Sequence, residues 1–289
     1  IALYPNLNVT DPVWRQLFRD VRFRRALSMS IDRAQVNQVL YFGLATESNN
    51  TVVPDSPLFK KEYQTLWTKF DRKAADRLFD EIGLKRGPDG IRRLSDGRPL
   101  EIIVETAGES TEQTDVLELI RENWREVGIK LFSKPSQRDV LRNRVFSGEA
   151  MMSVWPGLDN GMPTADTAPD ELAPKDQAQL QWPKFGQYFE TAGKMGEAPD
   201  IPQAAELMKL WESWRGANSE ERARIWHRML AIHAEQQFTI GIVNNVMQPV
   251  VVNNALKNVP EKGLYNWDPG AFLGIYHPDM FWFTDERRN

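Results

Sequence analysis

Three histidines, a cluster of loop carboxylates and one tryptophan at a strand end are the residues of this 289-residue chain best suited to chemistry or ligand contact. His227 and His233 lie six apart on one expected helix, which points them to different faces and prevents them from sharing a metal through that helix. They and His277 read as surface or cap histidines. Cysteine is absent, which removes disulfides, thiolate metal sites and cysteine nucleophiles together. No G-x-G-x-x-G, P-loop, G-x-S-x-G or S-x-x-K pattern occurs, so neither a phosphate cradle nor a serine nucleophile is specified. Asp159, Asp166, Asp170 and Glu171 crowd one long loop, and two such carboxylates are the minimum a glycosidase requires. Their spacing sets no carboxylate separation, and Asp-rich loops are ordinarily solvated turns. Trp155 differs: it ends an expected strand and opens that loop, where a flat aromatic can wall a ligand site beyond the carboxyl ends of a sheet.

The elements that must position these residues alternate between strand and helix. Leu100–Thr106 is β-branched, Glu112–Val127 has a helical apolar period closing at Gly128, and Ile129–Phe132 alternates as a strand. That order within about 35 residues makes a βαβ unit with parallel strands. Arg138–Phe146 reads as a helix, and Met151–Trp155 as a further strand. Upstream, Asp20–Met29 reads as a helix, followed by a helix from Asp32-Arg-Ala-Gln35, which has capping-box form, to Gly43. Another helix runs from Asp71 to Ile82 and ends at Gly83. Downstream of the Pro-, Gly- and Trp-rich stretch 156–202, with one short helix near 185–192, come two helices, Gln203–Trp214 and Ser219–Gln237. Phe238–Val243 and Pro249–Val252 are expected strands. Trp211, Trp214 and Trp226 read as packing residues on those two helices. The fold class is α/β.

Charged residues make up 26% and the hydrophobic set 41%, a globular composition. A formal charge of -4 gives no electrostatic reason to bind nucleic acid. No apolar run reaches the roughly 18 residues of a membrane span. The opening Ile1-Ala-Leu-Tyr4-Pro5-Asn6 reads as a strand entered in mid-flow, with no leader before it. Either a removed leader or an absent upstream segment is therefore expected.

The stretch Asp20-Val-Arg-Phe-Arg-Arg-Ala-Leu-Ser-Met-Ser-Ile-Asp-Arg33 closely resembles the "VRxALSxAIDR" block of bacterial extracellular solute-binding protein family 5, the dipeptide- and oligopeptide-binding components of ABC importers. Tyr41-Phe-Gly43 followed by Val53-Pro-Asp-Ser-Pro57 is similar to the family's proline-rich loop. Asp71–Gly83, Glu126-Val-Gly-Ile-Lys130, the Trp155 loop, Gly241 and Asn258-Val-Pro260 also match family blocks in order.

This resemblance implies a type II periplasmic-binding-protein-like lobe, a mixed sheet flanked by helices. Residues 1–245 would form the second, C-terminal ligand-binding lobe, and 246–289 a tail returning to a missing first lobe. Ile1–Asn6 and Phe238–Val252 would be the two crossing strands. The implied function is capture of a peptide by lobe closure, in the periplasm or otherwise outside the cytoplasm. Permease subunits and the N-terminal lobe would be its partners, and neither catalysis, cofactor nor metal is implied. The implied ligand residues are Trp155, Asp159 and Asn160, with an Asp pairing the peptide ammonium. Here the loop reads Trp155-Pro-Gly-Leu-Asp159-Asn160-Gly161, which sets the Asp one residue later than the family's W-x-G-D and puts Leu158 in its place. An oligosaccharide, stacked on tryptophan faces, therefore stands as the alternative ligand. A secreted glycosidase is the distant third reading.

Overall fold

The computed structural model describes residues 1–158, 162–247, 249–263 and 276–284. In chain order its main elements are β1 (Ala2–Pro5), α1 (Pro12–Arg19), α2 (Val21–Met29), α3 (Arg33–Tyr41), β2 (Thr46–Glu47), α4 (Lys61–Thr65), α5 (Arg72–Glu81), β3 (Glu101–Thr106), α6 (Thr111–Glu126), β4 (Lys130–Pro135), α7 (Arg138–Ser147) and β5 (Met152–Trp155). They are followed by α8 (Pro183–Glu190), α9 (Pro202–Trp214), α10 (Ser219–Gln236), β6 (Ile240–Gly241), β7 (Val243–Asn244), β8 (Leu256–Lys257) and β9 (Trp282–Phe283). Five strands form one mixed sheet in the order β4-β3-β5-β1-β6. β3 runs parallel to β4 and β5, whereas β1 is antiparallel to β5 and β6.

The expected βαβ unit is present as β3-α6-β4. Ile102 and Val104 of β3 are buried, as are Val116, Leu117, Ile120 and Trp124 along one stripe of α6. Burying a stripe with a 3.6-residue period against a period-two strand face is what forces the crossover to lie on the sheet. The turn into β4 requires glycine. Gly128 has φ +82°, and a Cβ there would approach the Gly90 carbonyl oxygen to 2.9 Å.

Helix starts follow their caps. The carboxylate of Asp32 accepts the Gln35 amide at 3.0 Å, and that of Asp71 accepts the Ala74 amide at 2.9 Å. The Asp32 capping box is only half formed. The Asp32 amide donates to Asn123 Oδ1 of α6, whose Nδ2 in turn donates to Gln35 Oε1. A long-range partner has replaced the local one, so the cap also docks α3 onto α6. Two helices, α1 and α4, lie beyond those expected. The Asp11-Pro12 start of α1 carries an ordinary cap signal, with Asp11 accepting from the Val13 and Trp14 amides.

The stretch 20–33 holds the lobe together through its arginines. Arg24 and Arg33 are fully buried and form no ion pair with a carboxylate among the described residues; main-chain carbonyls chelate them instead. Arg33 donates to the oxygens of Gly241, Ser28 and Thr68 and to Ser28 Oγ, at 2.7–3.0 Å. Burial pulls both guanidinium groups down to about 9, still protonated at neutral pH. Arg33 thereby ties α2 and α3 to β6.

Two expectations are corrected. Phe238–Val243 does not form one strand. It divides into β6, paired with β1, and β7, paired with β2. The division comes at Ile242, directly after Gly241, and a Cβ on Gly241 would meet the Asn50 amide nitrogen at 2.1 Å. The backbone of 48–50 lies directly on this residue. Pro249–Val252 forms no strand: Val250 and Val251 are 65% and 99% exposed, and no partner strand lies beside them among the described residues. Beyond Asn245 the described tail forms the short β8-β9 ribbon, with Trp282 53% exposed.

Candidate functional site

β3, β4 and β5 are parallel, and β6 shares their direction because both it and β5 oppose β1. Thr106, Pro135, Trp155 and Gly241 therefore end strands on one edge of the sheet, and α6 and α7 begin there. Such an edge is where open α/β sheets hold ligands.

Trp155 is half-buried. Its inner side packs on a small cluster of Ala107, Leu141, Val145 and Ala150. The Arg138 guanidinium, from the first turn of α7, sits over the indole with 5.2 Å to the ring centroid. Arg138 is held by Glu109 of the loop after β3, its Nε donating to Oε1 at 3.1 Å and its Nη2 to Oε2. The edge thus presents an aromatic plane, a cation and an anion in contact. Nearby, Tyr41 Oη donates to Glu112 Oε1 at 2.5 Å, and burial together with that carboxylate pushes the phenol well above its ordinary range. Glu109 and Arg138 were not singled out from sequence. Their positions just after parallel strands, Glu109 in the loop after β3 and Arg138 at the start of α7 after β4, were the available signal.

The loop after Trp155 is anchored on its inner side. Tyr4 Oη donates to the Pro156 oxygen at 2.7 Å, and the Leu158 amide donates to Asn50 Oδ1 at 2.7 Å. Asp159 and Asn160, the other two expected ligand residues, lie outside the described residues, as does Gly161. One cavity of about 640 Å3 lies between α3, β2 and α4, lined by Asp32, Asn37, Glu47, Lys61 and Lys69 among others. Trp155 is not among its described lining residues.

Three other tryptophans hold the long loop in place. Trp214 Nε1 donates to the Ala165 oxygen at 2.8 Å, Trp226 Nε1 to the Thr167 oxygen at 2.9 Å, and Trp211 Nε1 to Asp170 Oδ1 at 2.7 Å. Each indole lies against the helical core and satisfies a loop acceptor with its one polar tip. These residues pack as expected, but they also clamp 165–170 to α9 and α10. The loop carboxylates are engaged accordingly. Asp166 accepts from Arg222 and Ser219, which hold its carboxyl below the usual range, opposite to the raised value a glycosidase acid requires.

The histidines stay apart. His227 Nδ1 lies 3.3 Å from Tyr63 Oη, and His277 is exposed near Asp279. The expectation that His233 is a surface or cap residue is corrected. It is buried, with Nε2 2.8 Å from the Leu172 oxygen and its ring edge-on to Trp182 and Phe238. Among the described residues no three His, Asp or Glu side chains cluster to hold a metal.

Comparison with known proteins agrees with this architecture. The family model described as bacterial extracellular solute-binding proteins, family 5 Middle, matches residues 1–179. A probable ABC transporter-binding protein of Deinococcus radiodurans is 30% identical over 121 residues, 40% of this chain and 20% of its own length. The periplasmic alpha-galactoside-binding protein of Rhizobium meliloti is 21% identical over 88% of this chain and 36% of its own length. Among solved structures, an oligopeptide-binding protein OppA superposes with a TM-score of 0.75 at 25% identity, covering 90% of this chain and 43% of that one. The chain thus spans less than half the length of each of these relatives. By the match over residues 1–179 and the superposed sheet, this chain belongs to the bacterial extracellular solute-binding proteins of family 5.

Proposed function

We propose that this chain is one ligand-binding lobe of the solute-capturing component of a bacterial ABC importer, and that its ligand is a peptide. The observation that carries this is the half-exposed Trp155 on the carboxyl edge of the sheet, with the paired charges of Arg138 and Glu109 against it. A peptide offers amides, an ammonium and a carboxylate, and an edge with one donor fork and one acceptor beside an aromatic wall can meet all three. Asp159 would take the ammonium, and Asn160 the neighbouring amides. The protein would act outside the cytoplasm, deliver to membrane permease subunits and perform no catalysis. No helix among the described residues is long and apolar enough to cross a membrane.

Residues 1–245 would be the lobe and 246–289 the segment returning to a first lobe, with Val250, Val251 and Trp282 covered by it. Their exposure here supports that division, because so much apolar surface is ordinarily covered by a partner. Capture would then be closure of two lobes, stabilised by contacts from both.

An oligosaccharide is the second reading, favoured by the alpha-galactoside-binding relative that matches 88% of the chain. Calorimetric titration of the full-length protein with a pool of tri- to pentapeptides and with stachyose separates the two. Saturable heat with peptides, weakened at least tenfold by Asp159→Asn, supports the peptide reading. Binding of stachyose alone, little changed by Asp159→Asn, overturns it, because a neutral sugar has no ammonium to lose. Turnover of either probe overturns the transport reading.

A further inference from the structure

Asn50 occupies a position that no motif marks. It lies in the Ser48-Asn-Asn-Thr51 segment after β2, between the loop that leaves Trp155 and the strand β6. Its Oδ1 accepts the Leu158 amide at 2.7 Å, and its Nδ2 donates to Thr239 Oγ1 at 3.0 Å. The amide orientation follows from chemistry: a main-chain N–H must face the oxygen, which leaves the nitrogen for the hydroxyl.

Both neighbours are stripped of side chain where they meet this segment. A Cβ on Gly157 would lie 2.7 Å from Asn50 Oδ1, and one on Gly241 would lie 2.1 Å from the Asn50 nitrogen and 2.2 Å from the Asn49 carbonyl carbon. Two glycines from distant parts of the chain thus let one residue touch both. Arg33 fixes the far side of Gly241 through its carbonyl at 2.9 Å, so β6 is a stiff support.

We propose that Asn50 is a positioning residue that couples the Trp155 loop to the β6 strand, so that the ligand wall and the strand leading out of the lobe move as one body. This rests on the functional reading above for its consequence in ligand capture, though not for the coupling itself. Ligand contact with Trp155 and its loop is transmitted through Leu158, Asn50 and Thr239 to β6. Without Asn50, Leu158 loses its acceptor, and residues 156–158 loosen relative to β6 although the Tyr4–Pro156 and Ser56–Pro163 hydrogen bonds remain on either side.

Amide hydrogen exchange on the full-length protein tests the coupling without any ligand. Asn50→Leu removes both hydrogen bonds with the same number of side-chain heavy atoms, though a bulkier tip, and should speed exchange at Leu158 at least tenfold, leaving α6 protection unchanged. Asn50→Asp keeps an acceptor for Leu158 and can accept the Thr239 hydroxyl, so it should restore wild-type exchange. The decisive variant is Thr239→Val, which never touches Leu158. It should speed Leu158 exchange several-fold through Asn50. Unchanged Leu158 exchange in Thr239→Val overturns the coupling even if Asn50→Leu accelerates it, since Asn50 would then be a local staple.

A second arm measures affinity for whichever of stachyose or the peptide pool the wild type binds. A tenfold or greater weakening in both Asn50→Leu and Thr239→Val supports the proposal, and wild-type affinity in both overturns its role in capture. If the wild type binds neither probe, the functional reading fails while the exchange result still decides the coupling.

Discussion

Acid should unfold this protein partly through one histidine. His233 is fully buried against Trp182 and Phe238, and desolvation lowers its pKa from 6.5 to about 4, against the opposing pull of the Leu172 carbonyl. The neutral ring donates Nε2–H to that carbonyl, just past the end of the stretch clamped by Trp211, Trp214 and Trp226. In the unfolded chain the imidazole takes up its proton near 6.5, and in the folded chain only near 4. Between these values the unfolded state binds more protons, so stability is complete above 6.5 and is lost as pH falls toward 4. At about 1.4 kcal/mol per unit, lowering the pH from 7.5 to 5 should cost about 2 kcal/mol through this group. Urea unfolding at half-unit pH intervals measures it. His233→Gln keeps an N–H donor without the titration, so it should be less stable than wild type at pH 7.5 yet flatter between 7.5 and 5 by about 2 kcal/mol. His227→Gln serves as the comparison, since burial also lowers that partly exposed ring. If His233→Gln keeps the wild-type slope over this interval, the buried neutral histidine is not the source and the argument fails.

Two further perturbations probe the support beneath the ligand edge. Arg33→Met fills similar volume but orphans the carbonyls of Gly241, Ser28 and Thr68, and should cost roughly 3 kcal/mol in urea unfolding; a loss below 1 kcal/mol would mean that water replaces the guanidinium there. Gly241→Ala drives a methyl into the backbone of 48–50 and should cost roughly 2–3 kcal/mol. It should also speed exchange in 48–50, and a neutral effect on both would show that this contact yields freely.

The paired charges at the edge bear on what a ligand meets there. Arg138 covers part of one face of Trp155 while it is held by Glu109. A ligand carboxylate can compete with Glu109 for that fork, and a ligand cation can compete with Arg138 for the acid. The indole face under Arg138 is therefore already engaged, and if Trp155 walls the ligand site as proposed, flat sugar stacking on that face would require Arg138 to swing away.

Periodicity and punctuation alone determined much of this protein. The apolar stripe of 112–127 between two β-branched runs specified the parallel βαβ unit, because burying those faces together admits few arrangements. Asp32, Asp71 and Gly83 marked helix ends through local hydrogen bonding and backbone freedom, which need no distant partner. The stretch 20–33 carried the family by its residue order, and Trp155 could be placed at a strand's carboxyl end from pattern alone. What only the tertiary structure decided depends on groups brought together across the chain. Composition counted ten tryptophans, but only folding shows three of their N–H tips spent on the long loop. A histidine on a helix has no sequence mark that it will be enclosed by Trp182 and Phe238. Phe238–Val243 looked like one strand because local alternation cannot register that the backbone of 48–50 presses on Gly241 and divides the pairing. Asn50, in a polar loop with no motif, meets Leu158 and Thr239 across separations of 108 and 189 residues. Local preference acts over a few residues, whereas hydrogen bonds between remote segments exist only after the sheet has set their distance.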